Sequence, residues 1–386
     1  MTRGPSAHEW TWPRYDTAGL GDVLPAVLRS LAPDGAEGTA PGAVHVGRAD
    51  RAVVVLVDGL GDRLLRRRSG HAPFLRSLLP TARTLSAGFP TTTATSMGSF
   101  GTGLAPGAHG LVGYEVRDPG TGRIVNELSW EDGPVPERWQ PHTTVFESAV
   151  RAGLRTTRIG PAFFDGSGLT RAALRGGEFV GAEALAARVD AALSCATAPR
   201  SLTYLYWGDL DKVGHVHGCE SWQWGDELAA VDAELDRLAH SLPSGTELLI
   251  TADHGMVDVP PGNVVDAALD PVLSAGVERV AGEPRSPQVY AVAGAAPDVL
   301  GRWRDRLGDR ADVLSREEAV GAGLFGPVAE HVMARIGDVV VLMAPGHSVV
   351  DTRVHRPELV ALKGLHGSLT ADEVDIPLLS LSVTSH

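Results

Sequence analysis

The hydrophobic positions of the chain fall into short continuous runs separated by amphipathic stretches. Residues 52–57 (Ala-Val-Val-Val-Leu-Val) are an unbroken apolar run, the pattern of a strand covered on both faces. Residues 202–207 (Leu-Thr-Tyr-Leu-Tyr-Trp) and 248–251 (Leu-Leu-Ile-Thr) read the same way, and residues 155–159 add a further strand. Between these runs the period lengthens. Helices are predicted over residues 20–31, 64–79, 143–152, 182–196 and 226–242, the last with Leu228, Val231, Leu235 and Leu238 on one side. Strands alternating with helices predict an α/β fold: a doubly wound, mostly parallel sheet with helices on both faces. From about residue 260 the rhythm changes to strand, helix, strand, strand (287–292, 297–307, 312–316, 338–343), the pattern of a small inserted α+β cap. The expected organisation is a core of residues 45–260 and 350–386, a cap of residues 261–349, and an N-terminal extension of residues 1–44 packed on the core.

Composition narrows the class. The 46 Gly and 26 Pro fit a chain with many turns, and a hydrophobic share of 43% describes an ordinary globular protein. A net charge of −13 argues against a nucleic-acid polymer or an anionic membrane as partner. An anionic substrate would therefore need positive charge supplied locally. Cys195 and Cys219 are too few for a disulfide framework. The first ten residues have no apolar core of signal-peptide length, and no apolar run reaches membrane-spanning length. Cytoplasmic location is the expectation, and oligomeric state is not readable.

The chemistry collects where the predicted strands end. Asp58 follows the first run. Asp211 and His215 follow the second, with Asp209 and His217 close enough to leave the assignment open. Asp253 and His254 follow the third, and His366 sits between glycines. Carboxyl ends of parallel strands converge on one edge, where open α/β sheets bind their ligands. Six carboxylate and imidazole donors exceed the needs of one tetrahedral ion and suit two divalent ions about 4 Å apart. The stretch 89–103 (Phe-Pro-Thr-Thr-Thr-Ala-Thr-Ser-Met-Gly-Ser-Phe-Gly-Thr-Gly) reads as a helix of small residues entered through hydroxyls. A threonine hydroxyl on a metal at such a helix N-terminus is a candidate nucleophile.

Taken in order, Asp58-Gly, Pro-Thr-Thr-Thr with Thr-Gly at 102–103, Asp211-x-x-Gly-His215-x-x-Gly218, Asp253-His254-Gly-Met and His366-Gly resemble the alkaline phosphatase superfamily. Within it they are most similar to the type I phosphodiesterase/nucleotide pyrophosphatase branch. The resemblance runs from Asp58 to His366. It implies that Asp58, Asp253, His254 and the nucleophile hold one zinc, and that Asp211, His215 and His366 hold the other. It places the nucleophile three residues after the proline and nine before the threonine of Thr-Gly, which is Thr93, with Thr92 one register away. Ser96 stands where the resemblance leads one to expect an asparagine that holds a phosphoryl oxygen, which makes Ser96 a candidate substrate contact.

The implied activity is metal-dependent hydrolysis of phosphodiester or pyrophosphate bonds in nucleotide-type small molecules, through a covalent phosphothreonine. The imidazole share favours zinc, while Mn²⁺ or iron also fits the donors. A phosphomonoesterase, phosphonate hydrolase or mutase on the same scaffold is the alternative, followed by a non-catalytic metal-binding protein. Arg285 and Arg335 are candidate partners for a terminal phosphate, and Tyr114, Phe163, Phe164 and Trp207 are candidate specificity aromatics.

Overall fold

The computed structural model describes residues 8–15, 17–32 and 44–384. A seven-stranded sheet forms the centre, in the order Arg83–Ser86, Asp375–Val383, Thr246–Thr251, Arg51–Val57, Ser201–Trp207, Arg155–Gly160, Glu178–Gly181. Arg51–Val57 pairs in parallel with Ser201–Trp207 on one side and Thr246–Thr251 on the other. Asp375–Val383 alone runs opposite to the other six strands. Nearly every residue of the three central strands is buried, because helices cover the sheet. On the face bearing Tyr204 the cover is the helices Thr93–Thr102 and Val145–Arg151, whose Phe100 and Phe146 rings lie 5.2 and 5.8 Å from the Tyr204 ring.

The mostly parallel α/β architecture read from the pattern is therefore present. Its differences are local. The helix expected over residues 64–79 is broken into Asp62–Arg67, a 3-10 turn and Pro73–Leu78, because Pro73 cannot continue a ladder and starts a new helix instead. The helix expected from residue 226 starts at Trp222, where the Ser221 hydroxyl accepts from the Trp224 amide. The expected helix over residues 20–31 opens as a 3-10 turn, Leu20–Asp22, before Val23–Leu31. Part of the expected extension, residues 1–7 and 33–43, lies outside the described residues.

Residues 277–343 contribute a separate antiparallel sheet in the order Val277–Glu283, Ser286–Ala291, Val339–Met343, Ala311–Ser315. It has its own apolar cluster, centred on Val289, Trp303 and Val341. Its first strand, Val-Glu-Arg-Val-Ala-Gly-Glu, is interrupted by the adjacent Glu278 and Arg279 and ends in Gly282 and Glu283, so a run-based reading passes over it.

Candidate active site

Three neighbouring strands end level with one another, since Val57 pairs with Trp207 and Leu56 with Thr251. The side chains that follow them must therefore meet. Asp58 and Asp253 are buried directly beyond two of the strands, and the third runs through Gly208 into the helix Asp209–His217. Asp211 and His215 stand one turn apart on that helix, His215 Nε2 lying 3.2 Å from Asp211 Oδ2. Gly59 has φ +72°, and a Cβ there would come within 3.1 Å of Asp211, so glycine allows the two loops to close. His366 follows the short strand Gly364–Leu365, which pairs with Val257–Asp258 beyond His254. Its ring stacks on His254 at 3.8 Å and lies 5.2 Å from His215.

One ligand atom each from Asp58, Asp253 and His254 lie within 4.8 Å of one another, and so do atoms from Asp211, His254 and His366. Whether these residues fit cations is tested by their other contacts. His215, His254 and His366 each direct Nδ1 at a backbone carbonyl, of Gly364, Gly255 and Thr91 at 2.7, 3.0 and 2.7 Å. A carbonyl only accepts, so each ring carries a proton on Nδ1; Nε2 of His254 and of His366 is turned to the site, while Nε2 of His215 faces the Asp211 carboxylate and offers its lone pair only once that pair has lost its shared proton. Asp253 Oδ1 accepts from the Gly59 and His254 amides. Asp253 Oδ2, Asp58 Oδ1 and Asp211 Oδ1 are buried without any hydrogen-bond partner. Three orphaned carboxylate oxygens in one place are costly unless a cation meets them. The donor set fits two divalent ions.

The electrostatics of the two sides differ. Burial pushes the Asp58 carboxyl well above the usual range, and the charges of Asp253 and Asp211 push it further. Burial also acts against Asp211, but the His215 imidazole outweighs it and holds that carboxyl below the usual range. His215 is raised to about 9, its own desolvation overridden by Asp211. His366 is held well below the usual imidazole value by burial and by the nearby His254.

Thr93 is the first residue of the Thr93–Thr102 helix and is partly exposed. Its Oγ1 is 3.4 Å from both Asp58 Oδ2 and His254 Nε2. Thr92, at the N-cap position, donates its hydroxyl to Glu283 Oε1 and is buried. Of the two candidate registers, only Thr93 places its hydroxyl beside Asp58 and His254. Ser96 is a correction: it is fully buried and donates to the Asp253 carbonyl at 2.8 Å, so it faces the core rather than a ligand. It stands three residues into the helix from Thr93, on the side that packs against the Asp253 loop.

Other candidates separate clearly. Asp209 pairs with Lys212 at 2.6 Å on the exposed face of its helix, and His217 is exposed at the end of the same helix. Arg285 is paired with Glu373, and Arg335 is pinned to the Gly110 and Trp139 carbonyls, so neither is available to a terminal phosphate. Trp207 is packed beneath Arg188 with its Nε1 on Glu227. Phe163 and Phe164 instead line a cavity of about 520 Å³ that opens beside Asp58 and Thr93, with Tyr206, Phe179 and Leu174. Two residues escaped the sequence reading. Tyr206 donates to Asp58 Oδ2 at 2.5 Å, legible in retrospect as a hydroxyl two residues before the strand-end glycine. Glu283 reaches Thr92 from the second sheet and is pushed up to about 8 by burial; no local pattern marks it.

The family model for type I phosphodiesterase / nucleotide pyrophosphatase matches residues 52–369. A curated relative, ectonucleotide pyrophosphatase/phosphodiesterase family member 7 of Rattus norvegicus, is 27% identical over 197 residues, 46% of this chain and 43% of that protein. The aligned part thus spans under half of that relative. Murine ectonucleotide pyrophosphatase / phosphodiesterase 5 superposes with a TM-score of 0.68 at 20% identity, covering 85% of this chain and 87% of that one. An inactive threonine-to-alanine form of the murine protein in complex with AMP superposes equally well, at 0.68 and 19% identity with the same coverage. Phosphonoacetate hydrolase from Sinorhizobium meliloti 1021, in complex with phosphonoformate, gives 0.62 at 20% identity over 86% and 89%. No helix among the described residues is long and apolar enough to cross a membrane.

Proposed function

Because the chain belongs to the type I phosphodiesterase/nucleotide pyrophosphatase family, we propose that it is a metal-dependent hydrolase of phosphodiester or pyrophosphate bonds with Thr93 as nucleophile. The observation that carries this reading is the gathering of three unpartnered carboxylate oxygens with the His254 and His366 imidazoles, beside a threonine hydroxyl 3.4 Å from both Asp58 Oδ2 and His254 Nε2. Asp58, Asp253, His254 and Thr93 would hold one ion, and Asp211, His215 and His366 the other, with zinc favoured by the imidazoles. Two such ions, held there, would supply the positive charge that the acidic chain lacks and the Lewis acidity that polarises a phosphoryl group and lowers a hydroxyl pKa.

The chain's own residues do the rest. Thr93, held at the first turn of its helix, gives its proton to solvent and attacks phosphorus, so that the Oγ1–P bond forms as the bond to the leaving oxygen breaks. Water then cleaves the phosphothreonine ester and restores the hydroxyl. The amides of that first turn face the phosphoryl oxygens. Tyr206 fixes the Asp58 carboxylate, and the three backbone carbonyls fix the imidazoles. The adjoining cavity takes the organic part of the substrate. Both arginines considered for a terminal phosphate are engaged elsewhere, which favours a diester over a monoester. The second sheet, within a cap of residues 261–349, borders this site through Glu283.

The test is Thr93→Ala. The variant should keep its bound metal and its melting temperature while hydrolysis of bis(4-nitrophenyl) phosphate falls by at least about a thousandfold, the scale of losing a covalent route. Undiminished turnover would remove Thr93 from the reaction. A second reading, phosphonate hydrolysis, draws on the fold neighbour bound to phosphonoformate; phosphate release from phosphonoacetate exceeding diester hydrolysis would favour it.

A further inference from the structure

The cavity beside Thr93 is mostly apolar, yet one wall carries a guanidinium. Arg158 lies in the strand Arg155–Gly160, opposite Tyr204 in one neighbouring strand and Phe179 in the other. It lines the cavity and is 7% exposed. The other buried arginines show what such a group normally has. Arg188 donates to the Ala182, Tyr206 and Glu183 carbonyls at 2.7–2.9 Å. Arg285 grips both Glu373 oxygens and three carbonyls. Arg335 bonds two carbonyls through one nitrogen.

Arg158 has one long contact, to Gly177 O at 3.4 Å, and its Nε and Nη1 have no partner. No carboxylate among the described residues is within ion-pair distance; exposed Asp165 acts on it only from farther away. Its guanidinium sits 5.6 Å over the Phe179 ring, a contact that orients it without neutralising it. A lone buried cation costs free energy that a bound anion would return.

We propose that Arg158 is a specificity-determining residue that receives a singly charged oxyanion, of carboxylate type, at the far end of an aromatic or otherwise apolar substrate group. The inference rests on the cavity serving the Thr93 site. Two strand spacings, roughly 10 Å, separate the Arg158 strand from the one that ends at Asp58, so Arg158 reads a remote part of the substrate and not the reacting phosphoryl group. One guanidinium balances one negative charge, whereas a phosphate monoester dianion would leave charge buried unpaired. The aromatic lining from Phe164, Phe179 and Tyr206 suits a flat body between the two ends.

The experiment uses the full chain, metal-loaded and chelated, with two phosphorus-free probes, 2-naphthoate and neutral 2-naphthamide, measured by calorimetry. Wild type should bind naphthoate at least about tenfold tighter than the amide in both metal states, the scale of one charge-assisted pairing. Arg158→Met, which keeps the volume and the contact with Phe179, should erase that preference without lowering the melting temperature. Arg158→Lys should restore part of it. Equal affinities in wild type would overturn the assignment. So would a preference that survives Arg158→Met, since the carboxylate would then be held by a group other than Arg158. Because neither probe contains phosphorus, an intact, Arg158-dependent preference in a protein that hydrolyses no phosphoester would uphold Arg158 and remove only the phosphoesterase reading.

Discussion

The two halves of the acid–imidazole cluster balance their charge differently. Around Asp211 the chain provides its own counter-charge, since His215 lies 3.2 Å away and the pair shifts both groups toward their ionised forms. Around Asp58 and Asp253 it does not. His254 Nε2 is 3.5 Å from an oxygen of each, but its proton is committed on the other side, to the Gly255 carbonyl. Asp58 answers by resisting ionisation. Two sets of similar residues, contiguous in space, thus depend to different degrees on an added cation. The Asp58 half is unfavourable without one, and in the Asp211 half only Asp211 Oδ1 still lacks a partner.

The largest test of this contrast is Asp58→Asn. In the metal-loaded enzyme it should cut diester turnover by more than about a hundredfold, beyond what loss of an outer-shell partner costs. In the chelated protein the same change should raise the melting temperature, because a repelling carboxylate has gone. Asp211→Asn should lower both, since it abandons His215. A melting temperature that falls with Asp58→Asn in chelator would break the comparison.

A smaller effect concerns Glu283, which borders the Asp211 half. Its folded carboxyl is pushed up to about 8 by burial, against an ordinary 4.5. Between those values the folded protein holds a proton that the unfolded chain has released, so stability falls as pH rises from about 4.5 to 8. Glu283→Gln should flatten that slope in a pH series of chelated-protein melts. It should not remove it, because Glu127 is likewise raised to about 8 and His215 loses its contribution from about 6.5 up to 9. An identical slope in the variant would show that Glu283 ionises normally. The smallest effect is Ser96→Ala. Loss of its bond to Asp253 O should cost about 1 kcal/mol of stability and leave kcat/KM within about twofold; a large fall in kcat/KM would restore Ser96 as a substrate contact.

Much of this arrangement was legible before any coordinates. Apolar runs located the central strands, and the acids and histidines placed directly after them marked the sheet edge, because a parallel sheet brings its carboxyl ends together wherever the intervening helices go. The resemblance pointed to Thr93 with Thr92 one register away, and no reading of the chain showed that the Thr92 hydroxyl turns to Glu283 while that of Thr93 lies beside Asp58. Asp209 and His217 could not be set aside in the sequence, since helical phase alone turns them outward while Asp211 and His215 face in. Ser96 differs from its expectation for the complementary reason: a hydroxyl close to the acid and imidazole groups can satisfy a backbone carbonyl as readily as a ligand.

Residue order therefore determined the fold class, the strand ends and the identity of the acid, imidazole and hydroxyl groups, because periodicity and strand-end position are local properties of the chain. The partners of those groups were decided in three dimensions. Glu283 meets Thr92 across 191 positions, Tyr206 meets Asp58 across 148, and Arg158 is left without a counter-ion although acids abound in the sequence. Desolvation and pairing depend on which surfaces are pressed together, and no stretch of sequence contains both sides of such a contact.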